Sequence, residues 1–281
     1  MKKVDCKQIS ENILIDVKNT LGSIKNGAKV AIIDAGSDAA SKKYISLKMQ
    51  KAMELGIKTD LIQFSDTSRI EEVLAKINDL NNDKTVNGIL VQLPLYELLA
   101  PYKHRLLNSV NPLKDVDGLS AINFGLYSQD LMNGILPATV DACLEVIKDS
   151  YAKDLPGTNV LIINNSDLIG KPLAMVLTTI GCTVTIANEL SNNISDLLKT
   201  NDIIVSATGR GNLYNFADIN QNALVIDITS KLIDNKVVGD FKRTEDQNNN
   251  IIYTPVPGGM GPITIACLLR NLVNLTKLQG E

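Results

Sequence analysis

Histidine occurs once in this chain, and its four cysteines, Cys6, Cys143, Cys182 and Cys267, are scattered without a C-x-x-C pair. These scarcities argue against a zinc site or a disulfide framework and suit a reducing cytoplasm. No apolar run approaches the roughly 20 residues that span a bilayer. The opening residues, Met1 to Gln8, carry two lysines and then turn polar, so they lack the apolar core of a signal peptide and the expected location is cytoplasmic. Basic runs are missing too, and a formal net charge of -3 gives no general attraction to nucleic acid or anionic lipid. Also absent is the complete dinucleotide fingerprint G-x-G-x-x-G. What remains is a globular chain of 281 residues, 44% hydrophobic, able to bury one large or two medium cores, with a small molecule as its favoured partner.

Apolar strands alternate with amphipathic helices along its length, the pattern of parallel α/β sheets. Strands are expected at Lys29 to Ile33, Thr59 to Phe64 and Asn87 to Gln92. Gly36-Ser37-Asp38 should lead into a helix stopping near Gly56, and another should run from Ser68 to Leu80. From Leu106 to Asn133 the pattern dissolves into loop chemistry. A helix over Ala138 to Lys153 precedes a second α/β series, with strands at Val160 to Ile163, Cys182 to Ala187, Asp202 to Ser206 and Ala223 to Ile228. Asp246 to Asn250 reads as a polar loop, and a closing helix over Gly261 to Lys277 can return to the first domain.

The segment Thr254-Pro255-Val256-Pro257-Gly258-Gly259-Met260-Gly261-Pro262-Ile263-Thr264 crowds three prolines and three glycines into eleven residues. Neither a helix nor a central strand tolerates that composition, whereas a rigid loop with bare backbone offered to a ligand does; a domain-joining turn is the plainer alternative. Tyr44 and Lys48, four apart, share a helix face just after a strand end, where open parallel sheets present their ligands. They form a plausible acid/base pair, although spacing alone favours a solvated surface lysine. Gln92 ends an apolar strand as its one amide, either for a partner or as an ordinary strand cap. Lys114-Asp115-Val116-Asp117-Gly118 sets two carboxylates two apart, suited to an amino-heterocycle or simply to an Asp-Gly turn. His104 reads as a surface residue. In the second series, Asn164-Asn165-Ser166 and Gly170 lie between a strand and a helix start, where helix N-H groups bind a pyrophosphate. Thr208 and Gly209 lie in a small-residue loop after another strand.

Taken together, these segments resemble one family, the bifunctional methylenetetrahydrofolate dehydrogenase/methenyltetrahydrofolate cyclohydrolases of one-carbon metabolism. The resemblance covers nearly the whole chain and is carried by Thr254 to Thr264, Gly88 to Leu95 and Lys114 to Gly118, in the family's order. Weaker matches are Ala39-Ala40-Ser41 with Tyr44 and Lys48, Asn123 with Gly125, and Ser166 with Ile169, Gly170 and Pro172. It implies an α/β fold of two domains: a folate-facing domain, residues 1-137 plus 263-281, and a Rossmann-like domain over 138-262, with the cleft between them. Lys48 would be the acid/base of hydrolysis, Tyr44 would position the folate and Gln92 would tune Lys48. Asp117 would anchor the pterin, while Pro257, Gly258 and Gly259 would line the folate. Asn164, Asn165, Ser166, Gly170, Glu189, Thr208 and Gly209 would bind the nicotinamide cofactor, NADP in the family at large, and the assembly would be a homodimer. No metal is implied.

Departures from the family pattern gather on the cofactor side. Asn164-Asn165-Ser166 replaces the usual Gly-Arg-Ser and so loses a turn glycine and a phosphate-binding arginine. Asn188-Glu189 replaces a polar, non-acidic pair; a glutamate there suits a ribose 2′-hydroxyl and repels a 2′-phosphate, which makes NAD a rival to NADP, with Arg210 a compensating charge. Pro137-Ala138-Thr139-Val140 and Asp227-Ile228-Thr229 depart from Pro-Cys-Thr-Pro and Asp-Val-Gly. The alternative is therefore a cyclohydrolase alone, or a folate-binding protein with a degenerate nucleotide site.

Overall fold

A computed structural model describes residues 1–36, 39–129, 135–242 and 250–280. The expected turn at Ser37-Asp38, the end of the loop stretch before Asn133 and most of the Asp246 to Asn250 loop lie outside the described residues. In chain order the elements are β1 (Lys2–Lys3), α1 (Cys6–Gly22), β2 (Lys29–Asp34), α2 (Ala39–Glu54), β3 (Lys58–Gln63), α3 (Ile70–Asn82), β4 (Gly88–Gln92), α4 (Lys103–Ser109), α5 (Ala121–Ser128), α6 (Ala138–Ser150), β5 (Asn159–Ile163), α7 (Gly170–Thr179), β6 (Thr183–Ala187), α8 (Ile194–Thr200) and β7 (Ile203–Ser206). There follow β8 (Tyr214–Asn215), β9 (Leu224–Asp227), β10 (Lys231–Ile233), β11 (Lys236–Val238), β12 (Phe241–Lys242), β13 (Ile252–Tyr253) and α9 (Met260–Leu278).

The chain divides into two compact units, one of Met1–Asn12 with Thr139–Thr264, the other of Ile13–Ala138 with Ile265–Glu281. By backbone contacts residues 1–12 therefore group with residues 139–264, whereas the expected boundary counted them with residues 13–137. The reason is backbone pairing: β1 joins β13 in parallel, Lys2 opposite Ile252 and Lys3 opposite Tyr253, which makes the first residues the edge of a six-stranded sheet ordered β1-β13-β9-β7-β5-β6. Its interior strands β5, β7 and β9 are buried almost throughout, the unbroken apolar pattern of a parallel sheet covered on both faces.

The other unit centres on a parallel sheet ordered β3-β2-β4. Ile33, Val91, Val73 and Ile77 share its core with Leu99 and Leu106. The stretch expected to be loop from Leu106 onward instead contains the end of α4 and all of α5. These helices are seven and eight residues long, too short to show a periodicity, and α5 is started by Ser120, whose hydroxyl accepts from the Asn123 N-H at 3.3 Å. Most of α9 belongs to this unit, and there Asn271 donates to the carbonyls of Val116 and Leu136, each at 3.0 Å.

Candidate active site

In the unit of residues 13–138 and 265–281, the C-terminal ends of β2 and β4 lie side by side, with Asp34 paired to Gln92. Gly36 passes so close to the Pro94 carbonyl that a Cβ would collide with it. From that edge α2 sends back Ser41, Ile45, Lys48 and Ala52, all buried and spaced as one helical stripe. Lys48 is therefore not a surface lysine. Its side chain lies on the apolar face of its helix and is only 6% exposed.

The Lys48 Nζ donates to Gln92 Oε1 at 3.0 Å, and Gln92 Nε2 donates to the Leu93 carbonyl at 2.7 Å, which fixes the amide so that its oxygen faces the amine. The Tyr44 ring centroid lies 5.3 Å from Nζ, within cation–π range. Burial lowers the Lys48 pKa from its ordinary value, opposed by the negative charge of Asp117. In turn burial raises the Asp117 carboxyl, with Lys48 pulling it back and Asp115 adding to the rise. The structure thus brings together Tyr44, Lys48, Gln92 and the charge of Asp117.

The two carboxylates of the Lys114 to Gly118 loop have different tasks. Asp115 is held by the N-H groups of Gly118 and Ser120, at 3.0 and 2.8 Å, and by Asn123 Nδ2 at 3.0 Å. Lys114 is tied to the carbonyls of Leu80 and Asp83, at 2.9 and 2.8 Å. Asp117 Oδ atoms accept no hydrogen bond from the described residues, leaving one carboxylate available for a ligand. Asn271 ties the residue before Asp117, Val116, to Leu136 by donating to both carbonyls, a support that sequence reasoning missed. A buried amide in the apolar helix α9 was the available signal.

In the other unit, a pocket of about 230 Å³ is lined by Asn164, Asn165, Asn188, Glu189, Thr208 and Arg210 among others. Four of the expected cofactor residues, Asn164, Asn165, Glu189 and Thr208, meet there from three separate loops, while Ser166, Gly170 and Gly209 do not line it. Larger hollows of about 700 and 1000 Å³ elsewhere in the molecule are lined by none of the predicted site residues. Beside the pocket, Asp240 is fully buried and accepts from Ser206 Oγ at 2.6 Å, Thr208 N-H at 2.9 Å, Thr208 Oγ1 at 2.7 Å, Gly211 N-H at 3.1 Å and Thr229 Oγ1 at 2.8 Å. Burial works to raise its pKa, yet these donors prevail and hold it below the ordinary carboxylate value. Thr229 completes the network by accepting from the Gly209 N-H at 3.0 Å. Burial, reinforced by the Asp240 charge, pushes the Asp227 carboxyl up to about 7 against hydrogen bonds from Phe241 and Thr229. Neither Asp240 nor its role was legible in the sequence.

The start of α7 departs from expectation. Its Gly170 N-H goes to Asn164 Oδ1 at 3.1 Å, its Lys171 N-H to the Ser166 carbonyl at 3.0 Å and its Leu173 N-H to Ile169 at 3.0 Å, while Pro172 has no donor. The helix N-H groups expected to face a pyrophosphate are used within the chain, Gly170 by the side-chain acceptor that Asn164 supplies where glycine has none and the others by backbone carbonyls.

Pro257, Gly258 and Gly259 lie in the loop before α9 and belong by contacts to the unit of residues 1–12 and 139–264. The Val256-Pro257 peptide is cis; Gly258 adopts φ +86° and a Cβ on Gly259 would strike the Pro255 carbonyl, so the loop's own backbone calls for both glycines. His104 is exposed. Among the described residues no group of His, Cys, Asp and Glu could hold a metal ion, and no helix is long and apolar enough to cross a membrane.

Residues 4–117 match the family model of the tetrahydrofolate dehydrogenase/cyclohydrolase catalytic domain, and residues 137–280 that of its NAD(P)-binding domain. The bifunctional protein FolD of Rickettsia bellii is 36% identical over 280 residues, 98% of each chain. The crystal structure of the bifunctional FolD dehydrogenase/cyclohydrolase of Campylobacter jejuni superimposes with a TM-score of 0.90 at 34% identity, covering 98% of both chains. That of Trypanosoma brucei, complexed with NADP cofactor and inhibitor, gives 0.90 at 26% identity, covering 99% of this chain and 98% of the other.

Proposed function

Since the chain belongs to the tetrahydrofolate dehydrogenase/cyclohydrolase family, we propose that Lys48 carries the proton of its hydrolytic step. The enzyme oxidises 5,10-methylenetetrahydrofolate to 5,10-methenyltetrahydrofolate and opens that product with water to 10-formyltetrahydrofolate. In the opening, a water oxygen bonds to the methenyl carbon and the bond from that carbon to N5 breaks. Of the two water protons, one leaves to solvent and the other ends on N5. A buried amine whose charged form is disfavoured gives up and takes back such a proton more readily than an ordinary lysine does. Gln92 aims the amine, the Tyr44 ring supports the pterin beside it, and the open Asp117 carboxylate anchors the pterin's amino-heterocycle. Pro257, Gly258 and Gly259 are assigned to the folate on the strength of their motif.

The single observation that carries this reading is the burial of Lys48 against Gln92 Oε1 at 3.0 Å. Adding methenyltetrahydrofolate to the Lys48→Met variant and following its absorbance tests it directly; hydrolysis at the wild-type rate removes Lys48 from the mechanism.

A nicotinamide dinucleotide accepts the hydride in the oxidative step, and the chain's part there is to hold two rings in register. The 230 Å³ pocket fits the nucleoside half of such a group: Glu189 lines it as an acceptor for ribose hydroxyls, and Asn165 stands without the charge that a 2′-phosphate needs. We assign NAD as the preferred cofactor, with Arg210 the one cation among the described residues of the pocket wall for the phosphates. Side-by-side oxidation assays with NAD and NADP test this; a higher kcat/KM with NADP rejects it. The same family reading carries a homodimer, checked by sedimentation, and a cytoplasmic location, checked by fractionation.

A further inference from the structure

Three donors converge on a single oxygen at the start of α7. Asn164 Oδ1 accepts from the Ser166 N-H at 2.9 Å, the Ser166 hydroxyl at 2.7 Å and the Gly170 N-H at 3.1 Å. Ser166 Oγ is further committed, since it accepts from the Ile169 N-H at 3.2 Å. In dinucleotide-binding folds such a turn and helix start turn their donors toward an anionic oxygen brought by a ligand. Here the oxygen belongs to the chain. The other end of the same carboxamide is anchored as well, with Nδ2 donating to the Ala207 carbonyl at 2.8 Å, so Asn164 clasps the loop after β5 to the loop after β7. Its side chain meanwhile lines the pocket that also contains Glu189, Thr208 and Arg210.

We propose that Asn164 is a specificity-determining residue of this pocket: its Oδ1 occupies the place of a phosphate oxygen, so that the nucleotide is recognised by its nucleoside part more than by its diphosphate. The inference rests on the dinucleotide reading of the pocket given above. A phosphate seeking those donors must first displace Asn164, breaking the three bonds to Oδ1 and the link to Ala207. The carboxamide oxygen is neutral, so it satisfies the donors without adding repulsion to a nearby phosphate. Removing it frees the donors for charge-assisted bonds, while a carboxylate in its place keeps the donors occupied and adds a repelling charge.

Calorimetric titration of adenosine and of ADP into the wild type, Asn164→Ala and Asn164→Asp separates these effects. The wild type should bind ADP within about threefold of adenosine, and Asn164→Ala should tighten ADP about tenfold while adenosine stays within about twofold. In Asn164→Asp, ADP should weaken about tenfold relative to adenosine. The Asp variant also guards against misfolding of the Ala variant, because it retains the acceptor at the turn. ADP already far tighter than adenosine in the wild type, or an ADP affinity unmoved in both variants, overturns the assignment. If adenosine fails to bind the wild type at all, the nucleotide reading of the pocket fails and the proposal with it; adenosine binding with no gain for ADP in Asn164→Ala rejects the proposal alone.

Discussion

The two units spend their polar groups in opposite ways. Around Lys48 an amine, an amide oxygen and a carboxylate are held near one another with few internal partners, a costly arrangement that a core would not tolerate without a use. Around Asn164 and Asp240 the polar groups are tied to one another and to the backbone until almost none is left over. The first pattern is poised for chemistry and the second is poised for rigidity. The lesson is that a site is marked less by polar residues than by polar residues whose bonding capacity stays unspent.

The largest expected effect is on the poised side. Lys48→Met should reduce methenyltetrahydrofolate hydrolysis by at least about 100-fold, with the melting temperature unchanged or raised, because a methionine stem refills the space without a buried ammonium. A variant that loses activity and stability together would blur the contrast between the units. On the rigid side, Asp240→Ala strands the donors of Ser206, Thr208, Gly211 and Thr229 and should cost about 3 kcal/mol in urea unfolding. An unchanged urea midpoint would show that the network is ornamental.

Much of the fold was legible because β2, β4, β5, β7 and β9 are continuous apolar runs, and their observed bounds fall within a residue or two of expectation. What escaped was short or non-local: β1 is two residues whose strand character exists only opposite β13, and α4 and α5 are too brief for a helical period. Lys48 was misjudged from its spacing to Tyr44, yet its spacing to Ile45 and Ala52 already placed it on the buried stripe of α2. The Gly88 to Leu95 and Lys114 to Gly118 motifs located Gln92 and Asp117, but not the division of labour by which Asp115 builds the loop and leaves Asp117 open. Asp240 gave no local sign because its partners are far apart in sequence.

Smaller effects sharpen the comparison further. Glu189→Ser should raise the NADP/NAD ratio of kcat/KM about tenfold by removing a like charge from the ribose edge, and an unchanged ratio would place Glu189 away from that edge. In Asp117→Asn the negative charge that supports the Lys48 ammonium is lost, so the Lys48 pKa falls further and the rise of hydrolysis with pH should move to lower pH; a shift to higher pH contradicts the coupling. Asp227, raised to about 7 in the folded chain, contributes stability that is full below its unfolded value and is lost as pH rises through about 7. Asp227→Asn should flatten that decline in urea midpoints measured between about pH 4 and pH 8, and an identical slope would exclude Asp227 as its source.

The most direct measurement is an NMR titration of the Lys48 side chain in lysine-labelled protein, assigned by its loss in Lys48→Met. The resonance should titrate below the ordinary lysine value of 10.5, apart from the exposed lysines. A Lys48 that titrates together with those surface residues would contradict the claim that burial prepares this amine to carry a proton.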